Sequence, residues 1–288
     1  MKAKLQIIQF LSLAVIGLLA SCSTPTEDGE GQEGFVDSLK SDGPKETVTF
    51  EGLLDSQLLS GAILIYDQQN DEWFSNDFER AKEGRLPAST FKIPNSLVCL
   101  ENGVVENDSG MIYWGGEPRR MEVWEQDMTF REAFQFSCLP CYQELAVEVG
   151  EDRMRETLEL MEYPGMVFDS TSLNLFWVDG ESRINNYEQI NFIQRLQQRK
   201  LPLKESTYDS FNRMFVIEES TDYTLYGKTG WSIQNNQNNG WFVGYVAKKE
   251  GNYFFATNVD PMPEFEMENF GRIRKEVSLQ ALKELKIL

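Results

Sequence analysis

The sequence predicts an α+β fold, with a central antiparallel sheet built from both ends of the chain, flanking helices and a mostly helical middle. Runs rich in branched and aromatic residues occur near both ends, whereas apolar residues in the middle recur at helical spacing. With 288 residues, of which 41% are hydrophobic, the chain is long enough to bury a sizeable core. No linker or internal repeat interrupts the chain after about residue 47, which indicates a single large domain.

The predicted strands are short apolar runs bounded by polar turns. They cover residues 61–66, 72–75, 223–226, 240–247 and 253–258, and the turn at 68–71 makes the first two a hairpin. The predicted helices carry their apolar residues on one face. They cover residues 89–101, 151–161, 186–198 and 269–285. The pattern does not determine the order of the strands in the sheet.

The N-terminus has the pattern of an export signal, in which two lysines precede a mostly apolar run. The run ends in Leu19-Ala20-Ser21-Cys22, which resembles the lipidation motif of bacterial lipoproteins. We expect residues 1–21 to be a lipoprotein signal peptide and Cys22 to be lipidated; an ordinary secretory signal cut nearby is the alternative. Residues 22–46 are polar and acidic, as in a flexible tether, and the catalytic domain is expected at residues 47–288. The expected location is the periplasm or outer membrane of a Gram-negative bacterium, with membrane contact only through the lipid.

Charge and composition exclude several classes of function. The chain carries 27 Lys and Arg against 46 Asp and Glu, and this net charge of −19 repels the phosphates of nucleic acid. It contains no histidine, so a serine–histidine triad and a histidine-ligated zinc site are both excluded. A general base at neutral pH must therefore be a carboxylate, a lysine, a tyrosine or a bound group. No metal site is expected, and the sequence does not indicate an oligomeric state.

Three cysteines lie in the expected domain, at Cys99, Cys138 and Cys141. The last two form a C-x-x-C pair, but it lies between two apolar segments rather than in the strand-to-helix context of a redox motif. Buried thiols and a local disulfide both remain compatible with this pattern. No second C-x-x-C supports a metal site.

Ser89 and Lys92 are candidate catalytic residues because they lie three residues apart at the start of a predicted helix. This spacing puts both side chains on one face, and the N–H groups of a helix N-terminus favour an oxyanion. Phe91 and Ile93 flank the lysine, and burial would lower its pKa from about 10.4 and free the amine. A neutral amine can act as a base or react with CO2. Alone, the pattern equally fits a helix cap and a surface lysine.

The segment Lys228-Thr229-Gly230 follows the predicted strand at residues 223–226. Glycine lets a substrate approach the backbone closely, and a lysine and a threonine on an edge strand can bind a carboxylate. S-x-x-K followed by K-T-G is the motif pair of serine β-lactamases and penicillin-binding proteins.

Several ordered segments resemble the class D, oxacillin-hydrolysing β-lactamases of the penicillin-recognising serine enzymes, and the resemblance as a whole covers about residues 50–286. The resemblance implies a β-lactamase/transpeptidase-like fold. The segments are Pro87-Ala88-Ser89-Thr90-Phe91-Lys92-Ile93-Pro94-Asn95, Ser137-Cys138-Leu139 for the family's S-x-V, Phe176-Trp177-Val178-Asp179-Gly180 for its F-W-L-x-G, Lys228-Thr229-Gly230-Trp231, and Arg274 in the last predicted helix.

The resemblance implies a role for each matching residue. Ser89 attacks the β-lactam carbonyl, and Lys92, carboxylated by CO2 or bicarbonate, takes its proton and later activates the hydrolytic water. Trp177 hydrogen-bonds the carbamate, and Ser137 relays a proton to the leaving nitrogen. Main-chain N–H groups of Ser89 and Trp231 form the oxyanion hole. The residues implied to bind the substrate are Lys228, Thr229, Gly230, Trp231 and Arg274, and no other cofactor is implied.

Two departures from the family pattern concern deacylation and substrate choice. Leu139 stands where the family has valine and is expected to line the pocket beside the carbamate, where its bulk can alter water access. The family's Y-G-N tripeptide has no counterpart, since Tyr163-Pro164-Gly165 lies nearby without matching it.

Three functions follow from these motifs, and the first is a β-lactam hydrolase. The second is a β-lactam sensor or penicillin-binding protein that stays acylated, although a sensor is expected to have a second apolar span. The third is a peptidase acting on cell-wall D-Ala-D-Ala stems, which usually carries S-x-N where this chain has Ser137-Cys138-Leu139. Turnover of a chromogenic β-lactam separates the first function from the second.

Overall fold

The computed structural model describes residues 44–288, and a seven-stranded sheet is the centre of this part of the chain. The predicted signal peptide, Cys22 and nearly all of the predicted tether lie outside the described residues. The strands are β1 (Lys45–Val48), β2 (Leu59–Asp67), β3 (Glu72–Ser75), β4 (Met111–Ile112), β5 (Met128–Thr129), β6 (Val216–Glu219), β7 (Tyr223–Gln234), β8 (Gln237–Lys248) and β9 (Asn252–Pro261). The first strand of the described residues, β1, begins at Lys45, inside the predicted tether.

The order of strands in the sheet is β1-β3-β2-β9-β8-β7-β6, while β4 and β5 form a separate small pair. The predicted meeting of the two chain ends is confirmed, since β2 pairs with β9 along its whole length, with Gly61 opposite Val259. The predicted central antiparallel sheet is confirmed, and the sheet is mixed only at one edge, where β1, a strand that the sequence did not predict, runs parallel to β3. The chain passes from β1 through a 3₁₀ turn at Asp55–Gln57 into β2, but these two strands are not neighbours in the sheet. β3, which follows β2 in the chain, lies between them.

Seven α-helices lie among the described residues: α1 (Lys92–Glu101), α2 (Phe130–Gln135), α3 (Leu139–Val149), α4 (Glu151–Leu160), α5 (Asn186–Gln197), α6 (Glu205–Phe215) and α7 (Phe270–Glu284). The four predicted helices are confirmed as α1, α4, α5 and α7, whereas α2, α3 and α6 were not predicted. Capping boxes start two of them, with Thr129 and Glu132 at α2 and Asn185 and Glu188 at α5. No helix within residues 44–288 is long and apolar enough to cross a membrane.

The sheet has a buried apolar layer on each face. Along β2, Ile63 and Ile65 pack on one side and Ala62 and Leu64 on the other, as the two-residue period of a strand requires. One layer is closed by α7, whose buried residues Phe270, Ile273, Val277, Ala281 and Leu282 face the sheet. The other layer is formed with the helical middle of the chain and is the larger of the two.

The Lys228-Thr229-Gly230 segment lies inside β7 rather than after a strand, which corrects the predicted boundary. A two-residue turn, Asn235-Asn236, joins β7 to β8, and both residues have the positive φ of a type I′ hairpin turn (52° and 62°). That tight turn lets the two strands pair over twelve residues each. On its other side β7 pairs with the short strand β6 only at residues 224–226, so its backbone has a free edge from Gly227 onward. The Lys228-Thr229-Gly230 segment therefore lies along an unpaired strand edge, as the sequence predicted.

Candidate active site

Ser89 lies in a 3₁₀ turn, Ala88–Phe91, immediately before α1, and not in the α-helix that the sequence predicted. Ala88 has a positive φ of 50°, a conformation that costs an L-residue about 1–2 kcal/mol. Its main-chain N–H donates a hydrogen bond of 2.7 Å to the Trp177 carbonyl, which holds the bend. Pro94 is tolerated because it falls in the first turn of α1, where its missing N–H is not needed.

Lys92 is the first residue of α1, and its Nζ lies 3.2 Å from Ser89 Oγ. The lysine is fully buried, and its Nζ sits 5.0 Å from the centre of the Tyr142 ring. Burial lowers the pKa of Lys92 from its ordinary value to about 7, because the charged form is desolvated. The predicted pairing of the two side chains on one face is therefore found, and close to neutral pH the amine is partly uncharged.

Ser137 lies between α2 and α3 with a positive φ of 55°. Lys228 Nζ donates a hydrogen bond of 3.0 Å to Ser137 Oγ and one of 3.2 Å to the Thr229 carbonyl. Burial holds the pKa of Lys228 well below its usual range, and the nearby charges of Lys92 and Arg274 lower it further. The K-T-G strand and the helical layer therefore meet through this lysine and serine.

Arg274 projects from the first half of α7 and donates a hydrogen bond to the Gly230 carbonyl. Its guanidinium carbon lies 5.6 Å from the centre of the Trp231 ring. Trp231 is itself held by a hydrogen bond of 2.9 Å from its Nε1 to Asn238 Oδ1, across the hairpin. Burial lowers the pKa of Arg274 to about 10, which still leaves it charged at neutral pH.

Gly230 is required by packing between β7 and the turn that carries Ser89. A Cβ at this position would lie 3.2 Å from the Pro87 carbonyl oxygen and 3.3 Å from the Ala88 Cβ. These separations are shorter than ordinary van der Waals contacts, so a larger residue would push the turn away from the strand. The sequence predicted that Gly230 lets a substrate approach closely. In the structure, the groups that approach Gly230 belong to Pro87 and Ala88 of the protein itself.

Three buried or half-buried basic side chains, Lys92, Lys228 and Arg274, come together without a carboxylate partner, and Arg274 is the one that burial leaves fully charged at neutral pH. None of them forms an ion pair with an acidic side chain in the described part of the chain, although the protein as a whole is strongly acidic. Charges of one sign confined to a region of low dielectric create a strong local potential. This arrangement is suited to an anionic ligand.

The cleft above these cations has a volume of about 710 Å³. Six of the predicted site residues line it, namely Ser89, Ser137, Leu139, Thr229, Trp231 and Arg274. Lys92, Lys228 and Trp177 do not line the cleft, because they are buried beneath it. Met121, Phe136 and Ile233 present exposed apolar side chains at its walls. The cleft therefore offers the hydroxyls of Ser89 and Ser137 and the Arg274 guanidinium together with apolar surface.

Trp177 is fully buried, and its ring stacks against Phe91 at 5.4 Å between centroids. Its Nε1 has no hydrogen-bond partner among the described residues. A buried donor left unsatisfied costs about 1–3 kcal/mol, so such a group calls for an explanation. An acceptor absent from the polypeptide would supply one.

Sequence reasoning missed Ser96 and Tyr142. Ser96 Oγ bonds the Lys92 carbonyl at 2.7 Å and lies 2.6 Å from the Tyr142 hydroxyl oxygen. The first contact follows from the four-residue spacing within a helix and could have been inferred. Tyr142 reaches the lysine from α3, and no local pattern in the sequence indicates that contact.

Cys138 and Cys141 form a disulfide, which settles the alternatives left open by the C-x-x-C pattern. Cys99 is a free, buried cysteine. Within residues 44–288, no cluster of three or more histidine, cysteine, aspartate or glutamate side chains is placed to hold a metal ion.

Comparison with known proteins places this fold and site in a class. Residues 55–283 match the family described as the penicillin binding protein transpeptidase domain. The chain is 35% identical to β-lactamase OXA-48 of Klebsiella pneumoniae over 228 residues, which are 79% of this chain and 84% of that protein. A solved structure of the class D β-lactamase YbXI from Nostoc is 37% identical and superposes with a TM-score of 0.78, covering 82% of this chain and 98% of that one.

A second solved structure, a class D β-lactamase from Sebaldella termitidis, is 35% identical with a TM-score of 0.77 and covers 85% of this chain and 99% of that one. The chain therefore belongs to the class D β-lactamases. The resemblance drawn from the sequence motifs and the fold that it implied are confirmed.

Proposed function

We propose that the protein hydrolyses β-lactams through an acyl-enzyme on Ser89, with carboxylated Lys92 as the general base for both acylation and deacylation. The observation that carries the proposal is the 3.2 Å contact between Ser89 Oγ and the Nζ of Lys92, a fully buried lysine. Burial lowers the pKa of this lysine to about 7, so the amine is available near neutral pH. Membership of the class D β-lactamases supplies the substrate class.

In acylation, Ser89 Oγ bonds to the β-lactam carbonyl carbon and gives up its proton to the base at Lys92. The ring C–N bond then breaks, and the nitrogen takes a proton from the Ser137 hydroxyl. Lys228 Nζ lies 3.0 Å from Ser137 Oγ and can return a proton to it. In the proposal, the carbamate on Lys92 and the substrate carboxylate offset the effects that lower the pKa of Lys228, so that Lys228 is protonated and has this proton to give. The side chains of Ser89, Lys92, Ser137 and Lys228 thereby account for every proton that moves during acylation.

The register of β7 supports the proposed oxyanion hole. The two-residue turn makes Gln234 and Gln237 a hydrogen-bonded pair, and such pairs alternate along an antiparallel ladder. By this alternation Trp231, opposite Gly240, is in a non-hydrogen-bonded pair, so its N–H points away from β8 toward the free edge. That donor and the N–H of Ser89 can then face the same carbonyl oxygen, and one such donor is worth about 10²–10³ in kcat.

Substrate binding in the proposal rests on the uncompensated cations. The carboxylate that β-lactams carry would pair with Arg274 and Lys228 and accept from the Thr229 hydroxyl. Arg274 and Thr229 line the cleft, and Trp231 closes it beside the guanidinium. Binding of that anion would relieve the repulsion that lowers the pKa of Lys228.

Lys92 and Trp177 provide a fitting environment for a carbamate. The amine of Lys92 is buried without an acidic partner, and the buried Nε1 of Trp177 lacks an acceptor among the described residues. Carboxylation of Lys92 by CO2 would supply an anionic base that works near neutral pH. It would also place a negative charge beside Lys228, which reverses the sign of the charge interaction that now lowers the pKa of Lys228.

Deacylation requires a water that attacks the Ser89 ester and loses a proton to the same base. Leu139 lines the cleft and is half-buried against the apolar core. In the proposal, this side chain controls how water reaches the ester. A chain that acylates and never releases the product would instead be a β-lactam-binding protein, and Leu139 is the residue that favours this second function.

The experiment that tests the function counts product molecules per active site. Purified protein is mixed with excess nitrocefin in the presence of bicarbonate, and the hydrolysed product is compared with the amount of Ser89 that can be acylated. We expect many turnovers per site. Product equal to the number of sites, with Ser89 left acylated, would reject hydrolysis and favour the binding protein.

In the proposal, Trp177 Nε1 stabilises the carboxylated Lys92 by donating a hydrogen bond to it. Replacing Trp177 with phenylalanine is therefore expected to slow deacylation about tenfold or more, while acylation changes by less than about threefold. Pre-steady-state kinetics with nitrocefin separates the two rate constants. The matched control is Trp241→Phe, a fully buried tryptophan whose Nε1 bonds the Leu86 carbonyl at 2.8 Å. It should lower the melting temperature and leave the ratio of the two rate constants unchanged. Equal slowing of both steps in Trp177→Phe would contradict the proposed role.

We also propose that the protein is exported as a lipoprotein anchored through Cys22, in the periplasm or at the outer membrane of a Gram-negative bacterium. Support comes from the Leu19-Ala20-Ser21-Cys22 motif after an apolar run. In cells fed labelled palmitate, the full chain should incorporate label and Cys22→Ala should not. Equal labelling of the two would reject the anchor.

A further inference from the structure

The reaction described above does not use the Cys138–Cys141 disulfide, although it begins at the residue after Ser137. Both sulfurs are fully buried. Cys138 is the N-cap residue of α3, and its Sγ accepts a hydrogen bond of 3.3 Å from the Cys141 N–H. The disulfide therefore closes the first turn of the helix that starts directly after the proton-relay serine.

Ser137 is held in a conformation that it would not adopt freely. Its φ of 55° lies in the left-handed region, which non-glycine residues rarely adopt. Such a residue persists only when its surroundings constrain it. On the α2 side, the Ser137 N–H donates to the Phe134 carbonyl at 3.1 Å and the Cys138 N–H to the Ala133 carbonyl at 2.9 Å. On the α3 side, the covalent constraint is the disulfide.

Arg119 fixes the disulfide from outside. Its Nη1 lies 3.6 Å from Cys138 Sγ and 3.3 Å from Cys141 Sγ, and its side chain is only 3% exposed. The guanidinium also forms ion pairs with Glu117 at 2.7 Å and Glu144 at 3.2 Å. A charged side chain this deeply buried and this fully paired has little freedom to move.

The same arginine connects the disulfide to Trp124 and Phe136, which line the cleft. Its Nη1 donates to the Trp124 carbonyl at 3.3 Å, and Trp124 Nε1 donates to the Phe136 carbonyl at 3.0 Å. Trp124, Phe136 and Leu139 all line the cleft. The disulfide, Arg119 and Trp124 thus form one connected unit around the segment that carries Ser137.

We propose that the Cys138–Cys141 disulfide, together with Arg119, is a positioning element that holds Ser137 in place for proton transfer during acylation, and that its reduction selectively slows that step. This inference rests on the proposed function, in which Ser137 delivers a proton to the leaving nitrogen. Dithiothreitol would break the S–S bond by thiol–disulfide exchange, leaving two protonated thiols and the cyclic oxidised form of the reagent.

Deacylation is expected to respond less, because its base and Trp177 are held elsewhere and Leu139 is the one proposed deacylation group inside the disulfide loop. Lys92 belongs to α1, and Trp177 is fixed by the stacking of its ring on Phe91 and by the bond from the Ala88 N–H to its carbonyl. None of these contacts includes Arg119 or either sulfur. The ratio of the acylation and deacylation rate constants therefore separates a positioning role from a general loss of folded protein.

The test compares the wild-type chain with the double variant Cys138→Ser/Cys141→Ala, in which serine retains an N-cap acceptor. Acylation and deacylation rate constants are measured with nitrocefin, and acylation separately with a fluorescent penicillin. We expect acylation to slow about tenfold or more, and deacylation to slow by a clearly smaller factor. The double variant should not respond to dithiothreitol, while wild-type protein reduced in dithiothreitol should show the same selective loss.

The matched control Cys99→Ala lacks the free thiol, keeps the disulfide and should behave like the wild type under both conditions.

Unchanged acylation in the double variant would overturn the inference, and so would equal slowing of both steps, which a purely structural bond would cause. Failure of the proposed function gives a different pattern. If the wild-type chain is acylated without turnover, the proposed hydrolase activity is rejected. The acylation rate constants of the wild type and the double variant still test the inference. A wild-type chain that no β-lactam acylates overturns both.

Discussion

Replacing Ser89 with alanine is expected to reduce kcat/KM for nitrocefin by roughly 10⁴-fold or more and to abolish covalent labelling by penicillins. Ser89 is the hydroxyl 3.2 Å from the buried Lys92 amine and lies at the cleft surface. Loss of Ser89 removes the cleft hydroxyl that is hydrogen-bonded to the Lys92 amine, and Ser137 Oγ is engaged with Lys228. Intact-protein mass spectrometry after exposure to a penicillin measures the adduct directly.

The matched control for this variant is Ser206→Ala, which removes an exposed serine from α6. Rates and labelling should equal those of the wild type. The melting temperature of Ser89→Ala should stay close to that of the wild type, so that lost activity reports lost chemistry. An adduct that persists on Ser89→Ala would contradict the assignment of the nucleophile.

Lowering the pH below neutrality is expected to reduce the turnover rate by roughly tenfold or more per pH unit below about 7, in buffers equilibrated with air. The sign follows from the lowered pKa of Lys92: above about pH 7 its amine is mostly neutral, and below it the ammonium dominates. Only the neutral amine reacts with CO2, so the base is lost as the pH falls. Added bicarbonate should restore much of the rate.

The groups around Lys92 support this reading of the pH profile. Tyr142 stays neutral throughout the range, because burial raises the pKa of its hydroxyl well above the usual value. Lys228 is the nearby ionisable amine, and its protonation in acid disfavours the ammonium form of Lys92, which moves the loss of activity to lower pH and leaves its direction unchanged. Circular dichroism across the same pH range controls for unfolding. A rate that falls in acid and does not respond to bicarbonate would contradict the carbamate.

The sequence predicted the parts of the site that depend on local spacing. Ser89 and Lys92 are three residues apart on one short helical segment, and Lys228 and Thr229 follow each other on one strand, so their proximity is set within a few residues. The pairing of β2 with β9 was also accessible, because a hairpin near one end and two strands near the other must share a sheet to bury their apolar faces.

Contacts between distant segments were beyond the reach of sequence patterns. Tyr142 approaches Lys92 only because α3 packs against α1. Arg119 approaches the disulfide only because the loop between β4 and β5, which carries this arginine, lies against the start of α3. The twelve-residue length of β7 was missed since glycine and threonine in the motif resemble a strand end, and the Asn235-Asn236 turn that sets the length lies further on. The parallel β1 depends on a crossover that no local signal marks.

The central claim is that carboxylated Lys92 is the base that activates Ser89. The most direct measurement is ¹³C NMR of the active protein titrated with ¹³C-bicarbonate, in parallel with its nitrocefin turnover rate. We expect a carbamate carbon signal that rises together with the rate and is absent in Lys92→Ala. Full turnover with Lys92 unmodified, at every bicarbonate concentration, would contradict the account.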